Sequence, residues 1–301
     1  MVLDRLANKY RPTKFEDVCD QEVCTKVLSK QIAKKSYSNV ILFVGSAGCG
    51  KTTCAKIFAN EINAEIIELD CAKNGGVAEI KEICEKARIK PLIKDLKVFI
   101  LDECQCITKE GWSSMLITLE EKIPSAIFIF CTTDPQKIPN TILSRCMRLN
   151  FTPITDAGMK NRLTTVSDAE HIVITDDAMD YIIASAKGSL RQALTNIDTC
   201  LLYEELQLDV ATVCKVLNMV SLDVLADICE AYKNKDQNKL IDLIEAVYNN
   251  GYELHYFTRQ LLDYCVTKNR DIKLLETLLT TLQDIRYDDS PKNIIIARLI
   301  V

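Results

Sequence analysis

FVGSAGCGKTT, residues 43–53, is the stretch on which the reading of this chain turns. It fits G-x-x-x-x-G-K-[ST] from Gly45 to Thr52. The apolar run NVILFVG (39–45) leads into it, and KTTCAKIFANEI (51–62), with helical spacing, leads out. A glycine-rich turn between a strand and a helix is a phosphate cradle, because successive backbone N–H groups and the positive end of the helix dipole point at the same spot. Gly45, Gly48 and Gly50 let the backbone approach closely, and Ser46, Ala47, Cys49 and Thr53 complete the wrap. Lys51 is placed to reach the β- and γ-phosphates, and the Thr52 hydroxyl to hold Mg²⁺. The turn predicts a nucleotide site. What the chain does with the phosphate must come from the residues around it.

Those residues alternate. EIIELD (65–70) predicts a strand, and VAEIKEICEKAR (77–88) a helix with Ile80, Ile83, Cys84 and Ala87 on one face. KVFILDE (97–103) predicts a buried strand ending in acids, GWSSMLITLEEK (111–122) a helix, AIFIFCTTD (126–134) a strand, NTILSRC (140–146) a short helix and MRLNF (147–151) a last strand. Apolar strands alternating with helices mean parallel βαβ units with both faces covered. The helix-strand-helix passage around EIIELD predicts a further strand between the two phosphate-contacting strands. After about residue 153 the strands are expected to stop. TDDAMDYIIASAKG (175–188) predicts a helix capped by Thr175 and closed by Gly188, and Ser189 caps the next, SLRQALTNIDTCLLYEE (189–205). From about 220 the pattern is helical to the end, with Pro291 opening a final short helix.

The strand ends carry the chemistry. Asp102 closes a buried strand, where a carboxylate steadies Mg²⁺ and its water. Glu103 follows it and can act on the attacking water as general base, which points to hydrolysis of a phosphoanhydride rather than transfer by a kinase. Thr132 and Thr133 end the next strand, where a hydroxyl can bond the γ-phosphate or the water. Arg145 lies beyond, and an arginine unable to reach its own nucleotide can reach a neighbour's, a contact worth roughly 10³–10⁵ in rate. The plain alternative for Arg145 is a structural ion pair. Arg191 opens a helix that, placed over the nucleotide, would report the γ-phosphate by moving a small domain. Its plain alternative is an exposed helix-start arginine.

Composition bounds the rest. At 301 residues, 48% hydrophobic and 26% charged, the chain reads as an ordinary soluble protein of about two domains. No apolar run approaches the roughly 20 residues of a membrane span, and the N-terminus has no stretch of signal-peptide length, so a cytoplasmic location is expected. A net charge of −5 excludes a chain coated in basic residues and makes any DNA contact local. Fourteen cysteines without a C-x-x-C pair read as small buried hydrophobes in a reducing compartment. Two histidines, His171 and His255, are too few and too far apart for histidine-based catalysis.

Taken together, KYRPTKFEDVCDQ (9–21), GSAGCGKTT (45–53), LDEC (101–104), TLEE (118–121), TTDPQKIPNTILSRC (132–146) and GSLRQAL (188–194) stand in one order with compact spacing. In this the chain resembles the AAA+ ATPase subunit of the bacterial sliding-clamp loader, gamma/tau of DNA polymerase III. It is similar also to the small subunits of replication factor C. Ser144-Arg145-Cys146 is the most specific sign, and the resemblance is strong over residues 5–200. It implies a P-loop α/β core with a parallel sheet (1–154), a small helical lid (155–218) and an all-α collar (219–301) that joins five subunits in a ring. It implies ATP with Mg²⁺, held by Gly45 to Thr53 with Thr52 and Asp102 on the metal. Asp102 and Glu103 would form the Walker B pair, Thr133 sensor 1 and Arg191 sensor 2. Arg145 would act in trans, and Arg11, Pro12 and Val18 would line the adenine pocket. The partners implied are the other loader subunits, a sliding clamp and primer-template DNA, with no membrane.

The chain also departs from that family. The four-cysteine zinc module is missing, because ANEINAEIIELD (59–70) runs straight through its place, so no zinc site is expected. A long tau tail is not expected either. A compact subunit without either fits a phage or divergent bacterial system. After the second strand, where the family carries basic residues that track the DNA backbone, Lys73 and Lys81 are the candidates. The helix 111–122 and the segment around Ile138 are exposed-looking candidates for the clamp surface, with Trp112 and Met115 assigned to the core. Two other functions compete: an AAA+ DNA motor such as a branch-migration or helicase-loading ATPase, and a subunit that binds nucleotide and only scaffolds. The absence of a basic winged-helix-like segment after residue 220 counts against the first, and the intact Lys51, Thr52, Asp102, Glu103, Arg145 and Arg191 against the second.

Overall fold

The computed structural model describes residues 6–91, 93–204, 206–287 and 291–300; residue 205, at the end of one expected helix, and the first five residues lie outside them. The chain divides into two compact units, Met1–Ile172 with Ile182–Asp198, and Val173–Tyr181 with Thr199–Val301. Among the described residues no helix is long and apolar enough to cross a membrane.

The first unit opens with a short helix α1 (Leu6–Lys9) and α2 (Glu22–Lys34). Then β1 (Val40–Val44), α3 (Lys51–Glu61), β2 (Glu65–Asp70), the single turn α4 (Cys71–Asn74), α5 (Val77–Arg88), β3 (Lys97–Asp102), α6 (Lys109–Glu120), β4 (Ala126–Thr132), α7 (Asn140–Leu143) and β5 (Met147–Asn150) follow. The five strands form one sheet in the order β2-β3-β4-β1-β5, with parallel pairing throughout. Alternate residues serve opposite faces. Leu42, Val44, Phe99, Leu101, Phe128 and Phe130 pack with Ile80, Ile83, Trp112 and Met115 of α5 and α6. Ile41, Phe43, Val98, Ile100, Ile127 and Ile129 pack with Leu28, Cys54 and Phe58 of α2 and α3. Burial on both faces is why the strands read as near-continuous apolar runs.

A strand does intervene between β1 and β3, but it is β4. EIIELD forms the sheet edge, next to β3. That order sets the ends of β1, β4 and β3 side by side, so the turn after β1 and the acids after β3 face each other across β4. The chain passes from the end of α3 at Glu61 to the start of β2 at Glu65 with three residues between.

Helix α8 (Asp156–Glu170) follows, then a two-residue strand β6 (Val173–Ile174), α9 (Asp176–Ala186), α10 (Leu190–Tyr203), β7 (Gln207–Leu208) and α11 (Val210–Val216). The strands therefore do not stop at 153: β6 and β7 pair in parallel, with the Val173 N–H on the Leu206 carbonyl at 2.7 Å. Two residues are too few for alternation to register in a sequence. The predicted caps hold. The Ala178 N–H donates to Thr175 Oγ1 and the Gln192 N–H to Ser189 Oγ.

The second unit is completed by α12 (Leu222–Asn234), α13 (Gln237–Asn249), α14 (Leu254–Tyr264), α15 (Ile272–Asp284) and α16 (Pro291–Ile300). Ser221, Asp236, Glu253 and Asp271 each accept from an N–H of the first turn of α12 to α15. These side chains satisfy donors that a helix start leaves orphaned, and so fix where each helix begins. Ile228, Ile244, Phe257, Leu261, Leu274, Leu278 and Ile295 form one core at the helical spacing of the sequence.

Candidate nucleotide site

The cleft lies at the C-terminal ends of β1 and β3, wholly within the first unit, and Ala47 to Thr53 line its floor. Lys51 is nearly buried, and its ammonium donates to the carbonyls of Gly45 (2.9 Å) and Ser46 (2.8 Å), so the turn is already folded around its cation. The Thr52 hydroxyl donates to Asp102 Oδ2 at 2.6 Å. A hydroxyl and a carboxylate at that separation are two hard oxygens on one point of the cleft, a set that suits Mg²⁺. Glu103 also lines the cleft. It stands outside the strand, with φ +49°, and its N–H donates to Asp102 Oδ1 at 3.0 Å.

The two candidate threonines divide. Thr132, fully buried as the last residue of β4, donates to Gln105 Oε1 at 2.7 Å and accepts from the Asp134 N–H. Thr133 is exposed, and its hydroxyl lies 3.4 Å from Glu103 Oε2. Of the two, Thr133 is the hydroxyl on the side of the carboxylate that lines the cleft.

Arg11, Pro12 and Val18 also line the cleft, joined by Ala7, Tyr10, Cys19, Ile154, Leu190 and Leu194, which the sequence did not single out. This segment is held by contacts more than a hundred residues away in the chain. Arg162 donates to the Tyr10 carbonyl, Asp20 accepts from the Thr155 N–H and hydroxyl at 2.7 Å each, and buried Gln21 exchanges hydrogen bonds with the Thr152 backbone. The Tyr10 hydroxyl bonds Glu170, which pushes that hydroxyl's pKa up; bonds from Lys9 and Tyr10 hold the Glu170 carboxyl below its ordinary value. Arg191 completes the rim.

A glycine-rich turn, a lysine at the helix start and paired acids on a strand separated by β4 now stand together. Residues 41–154 match the model of the ATPase family associated with various cellular activities (AAA). Those residues form an AAA domain. The chain is 30% identical over 317 residues to DNA polymerase III subunit tau of Bacillus subtilis (strain 168), an alignment covering 96% of this chain and 56% of that protein. It is 32% identical over 304 residues to DNA polymerase III subunit gamma/tau of Mycoplasma genitalium, covering 91% and 51%. The chain thus spans about half the length of the curated relatives it matches. Among solved structures, the RuvB Holliday junction branch migration motor of Thermotoga maritima superposes with a TM-score of 0.59 at 18% identity, over 97% of this chain and 90% of that one. At that identity the likeness concerns the fold alone.

Within the AAA domain the three loop glycines do different work. A Cβ on Gly45 would sit 2.5 Å from the Phe151 carbonyl oxygen, so this glycine is demanded by packing against the chain after β5. Gly50 has φ +102° and open space around it. Gly48 has φ +75°, and a Cβ there would sit 2.0 Å from Ser189 Oγ, at the start of the helix that carries Arg191. Gly48→Ala is therefore expected to strain the turn and displace residues 189–191. Left-handed strain alone costs about 1–2 kcal/mol, so nucleotide affinity should fall by about tenfold or more. Titration with a fluorescent ATP analogue measures this, and wild-type affinity in the variant would show that the 189–191 start does not bear on the site.

Other sequence candidates lie elsewhere. Arg145 does not line the cleft; it pairs with Glu120 at 2.7 Å and donates to the Thr141 carbonyl. Lys73 on α4 is exposed and 3.7 Å from Asp70, and Lys81 is exposed on α5. Trp112 and Met115 are core residues, as expected. Ile138 is not a surface candidate: at 3% exposure it packs in the same cluster as Trp112, turned inward after the short 3-10 turn Pro135–Lys137. On α6 the outward apolar residue is Ile117. The cysteines behave as small hydrophobes. None forms a disulfide, only Cys106 is exposed, and burial pushes the Cys54 and Cys71 thiols up to about 12, far from the thiolate that reactivity needs.

Proposed function

We propose that this chain is an ATPase subunit of a sliding-clamp loader, which uses ATP binding and hydrolysis to open a processivity clamp and set it on primed DNA. One observation carries the proposal. Lys51, Thr52, Asp102, Glu103 and Arg191 converge on one cleft, while Arg145 stands outside it on the surface. A hydrolytic set whose further arginine, Arg145, stands outside its own chain's cleft is what a ring with shared sites requires.

In this reading Lys51 and the backbone of residues 45–53 bind the phosphates, and the part of the cleft lined by Arg11, Pro12 and Val18 takes adenine. Mg²⁺ held by Thr52 and Asp102 would neutralise charge on the β- and γ-phosphates. Glu103 takes a proton from the attacking water, Thr133 orients that water, and Arg191 couples the γ-phosphate to the helices that follow. Residues 1–154 act as core, 155–218 as lid and 219–301 as the collar of a pentameric ring. Lys73 and Lys81 meet DNA phosphates, so binding is independent of sequence and sensitive to salt.

The test is ATP hydrolysis by the complex purified from its native cells, with no addition, with primed DNA, with the sliding clamp, and with both. Stimulation by primed DNA, raised further by the clamp, is expected. The competing reading is an AAA+ DNA motor, for which DNA would stimulate regardless of primer junction or clamp. Nucleotide bound but never hydrolysed would leave a scaffold.

A further inference from the structure

The 3-10 turn Cys104–Cys106, directly after the paired acids, carries a side chain that no motif singles out. Gln105 is half-buried and joins three of the groups just described. Its amide nitrogen donates to Glu103 Oε2 and to Thr133 Oγ1 (3.1 Å), and its carbonyl accepts the Thr132 hydroxyl at 2.7 Å. The orientation of the carboxamide follows from chemistry. A carboxylate only accepts, so the NH₂ must face Glu103. Thr132 already accepts the Asp134 N–H, so its hydroxyl proton is free for the Gln105 carbonyl.

We propose that Gln105 is the positioning residue that holds the Glu103 carboxylate in place for hydrolysis, an inference that rests on Glu103 being the general base. Glu103 needs such a hold. It has left the sheet with a left-handed backbone, so strand register does not aim its side chain. Apart from Gln105, the contact described for its carboxylate is the 3.4 Å approach of Thr133. Gln105, by contrast, sits on a fixed turn. Cys104 is fully buried beneath it, the Cys106 N–H closes on the Glu103 carbonyl at 2.9 Å, and the Thr108 N–H binds the Gly75 carbonyl at 3.1 Å. Gly75 packs so tightly on this turn that a Cβ there would sit 2.7 Å from the Cys106 carbonyl oxygen. Buried Thr132 anchors the other side of the carboxamide. The path from β4 to the base is therefore Thr132 to Gln105 to Glu103, each link a hydrogen bond.

Four variants in the purified complex test this: Gln105→Leu, Gln105→Glu, Glu103→Gln, and Gln105→Leu combined with Thr132→Val. Misplacing a reacting group by about 1 Å can cost about 10²-fold. For Gln105→Leu, kcat is expected to fall about 10- to 100-fold, while KM and the affinity for a non-hydrolysable ATP analogue stay within about twofold. Gln105→Glu keeps shape and acceptor but sets a second carboxylate against Glu103, so it is expected to be at least as slow. Adding Thr132→Val to Gln105→Leu is expected to cost little more, because the link it breaks is already gone. If Gln105→Glu hydrolyses at the wild-type rate while Gln105→Leu does not, Gln105 only fills the turn and the proposal falls. It falls equally if both hydrolyse normally, or if analogue affinity drops as far as kcat. Glu103→Gln separates the two levels. Normal hydrolysis in that variant removes the general base and Gln105's role with it, whereas an inactive Glu103→Gln beside active Gln105 variants removes Gln105 alone.

Discussion

Lys51→Ala is expected to abolish nucleotide binding and leave the fold intact. The ammonium is nearly buried and held by two backbone carbonyls of its own loop, 2.8 and 2.9 Å away. Phosphate oxygens offer that cation a charged acceptor where the loop offers neutral ones. Hydrogen bonds to charged groups are worth about 1.5–3 kcal/mol each, so loss of contacts to two phosphates should weaken binding by about 10²- to 10⁴-fold. The fold has less at stake. Gly45 and Ser46 lose one partner for their carbonyls at the edge of an open cleft, which water can replace at a cost of about 1 kcal/mol. Titration with a fluorescent ATP analogue and a thermal melt of the same sample separate the two effects. Affinity within about threefold of wild type would sink the assignment of Lys51, and a collapsed melt would mean that the lysine is structural.

How far the sequence foretold this site depends on the range over which each feature is encoded. β2 and α5 run over the residues that periodicity predicts, Glu65–Asp70 and Val77–Arg88, because burial of one stripe or two faces is written into consecutive side chains. The loop, Lys51, Thr52 and Asp102 were legible because a phosphate cradle needs those residue types at fixed spacing. Helix starts at 175 and 189 were legible because a cap is a local device. Contacts that close over long distances were not. Cys19, Ile154 and Leu194 line the cleft only once the N-terminal segment is bound through Asp20, Gln21 and Arg162 to residues more than a hundred positions away. Ile138 follows the proline, glutamine and lysine of a short turn, which suggests a surface, yet the turn aims it into the core. Gln105 lies between two cysteines in CQC, and only the juxtaposition of β3 and β4 across the sheet gives it Thr132 and Thr133 as partners beside its near neighbour Glu103.

Arg145→Ala is expected to leave nucleotide binding and stability nearly unchanged and to remove most of the hydrolysis that depends on assembly. The stability side follows from its surroundings. The guanidinium is about two-fifths exposed and pairs with the still more accessible Glu120. Such surface pairs contribute about 0–1 kcal/mol, and the bond to the Thr141 carbonyl can be replaced by water. Binding should be unaffected because Arg145 does not line its own chain's cleft. The rate side follows from charge. In the transition state negative charge spreads over the γ-phosphoryl oxygens, and an arginine supplied by a neighbour stabilises it by about 10³–10⁵ in rate. Each site in the complex that takes its arginine from this chain should slow by about that much. Arg145→Lys should not restore the rate, because a point charge cannot reproduce the two-pronged geometry of a guanidinium. The informative comparison is between the separate chain and the complex. The slow hydrolysis of the separate chain should be the same with arginine or alanine at 145, while the stimulated rate of the complex should collapse. If the separate chain slows as much as the complex, Arg145 serves its own site, and the shared-site ring loses its support. If neither slows, the pair with Glu120 is a structural ion pair and nothing more.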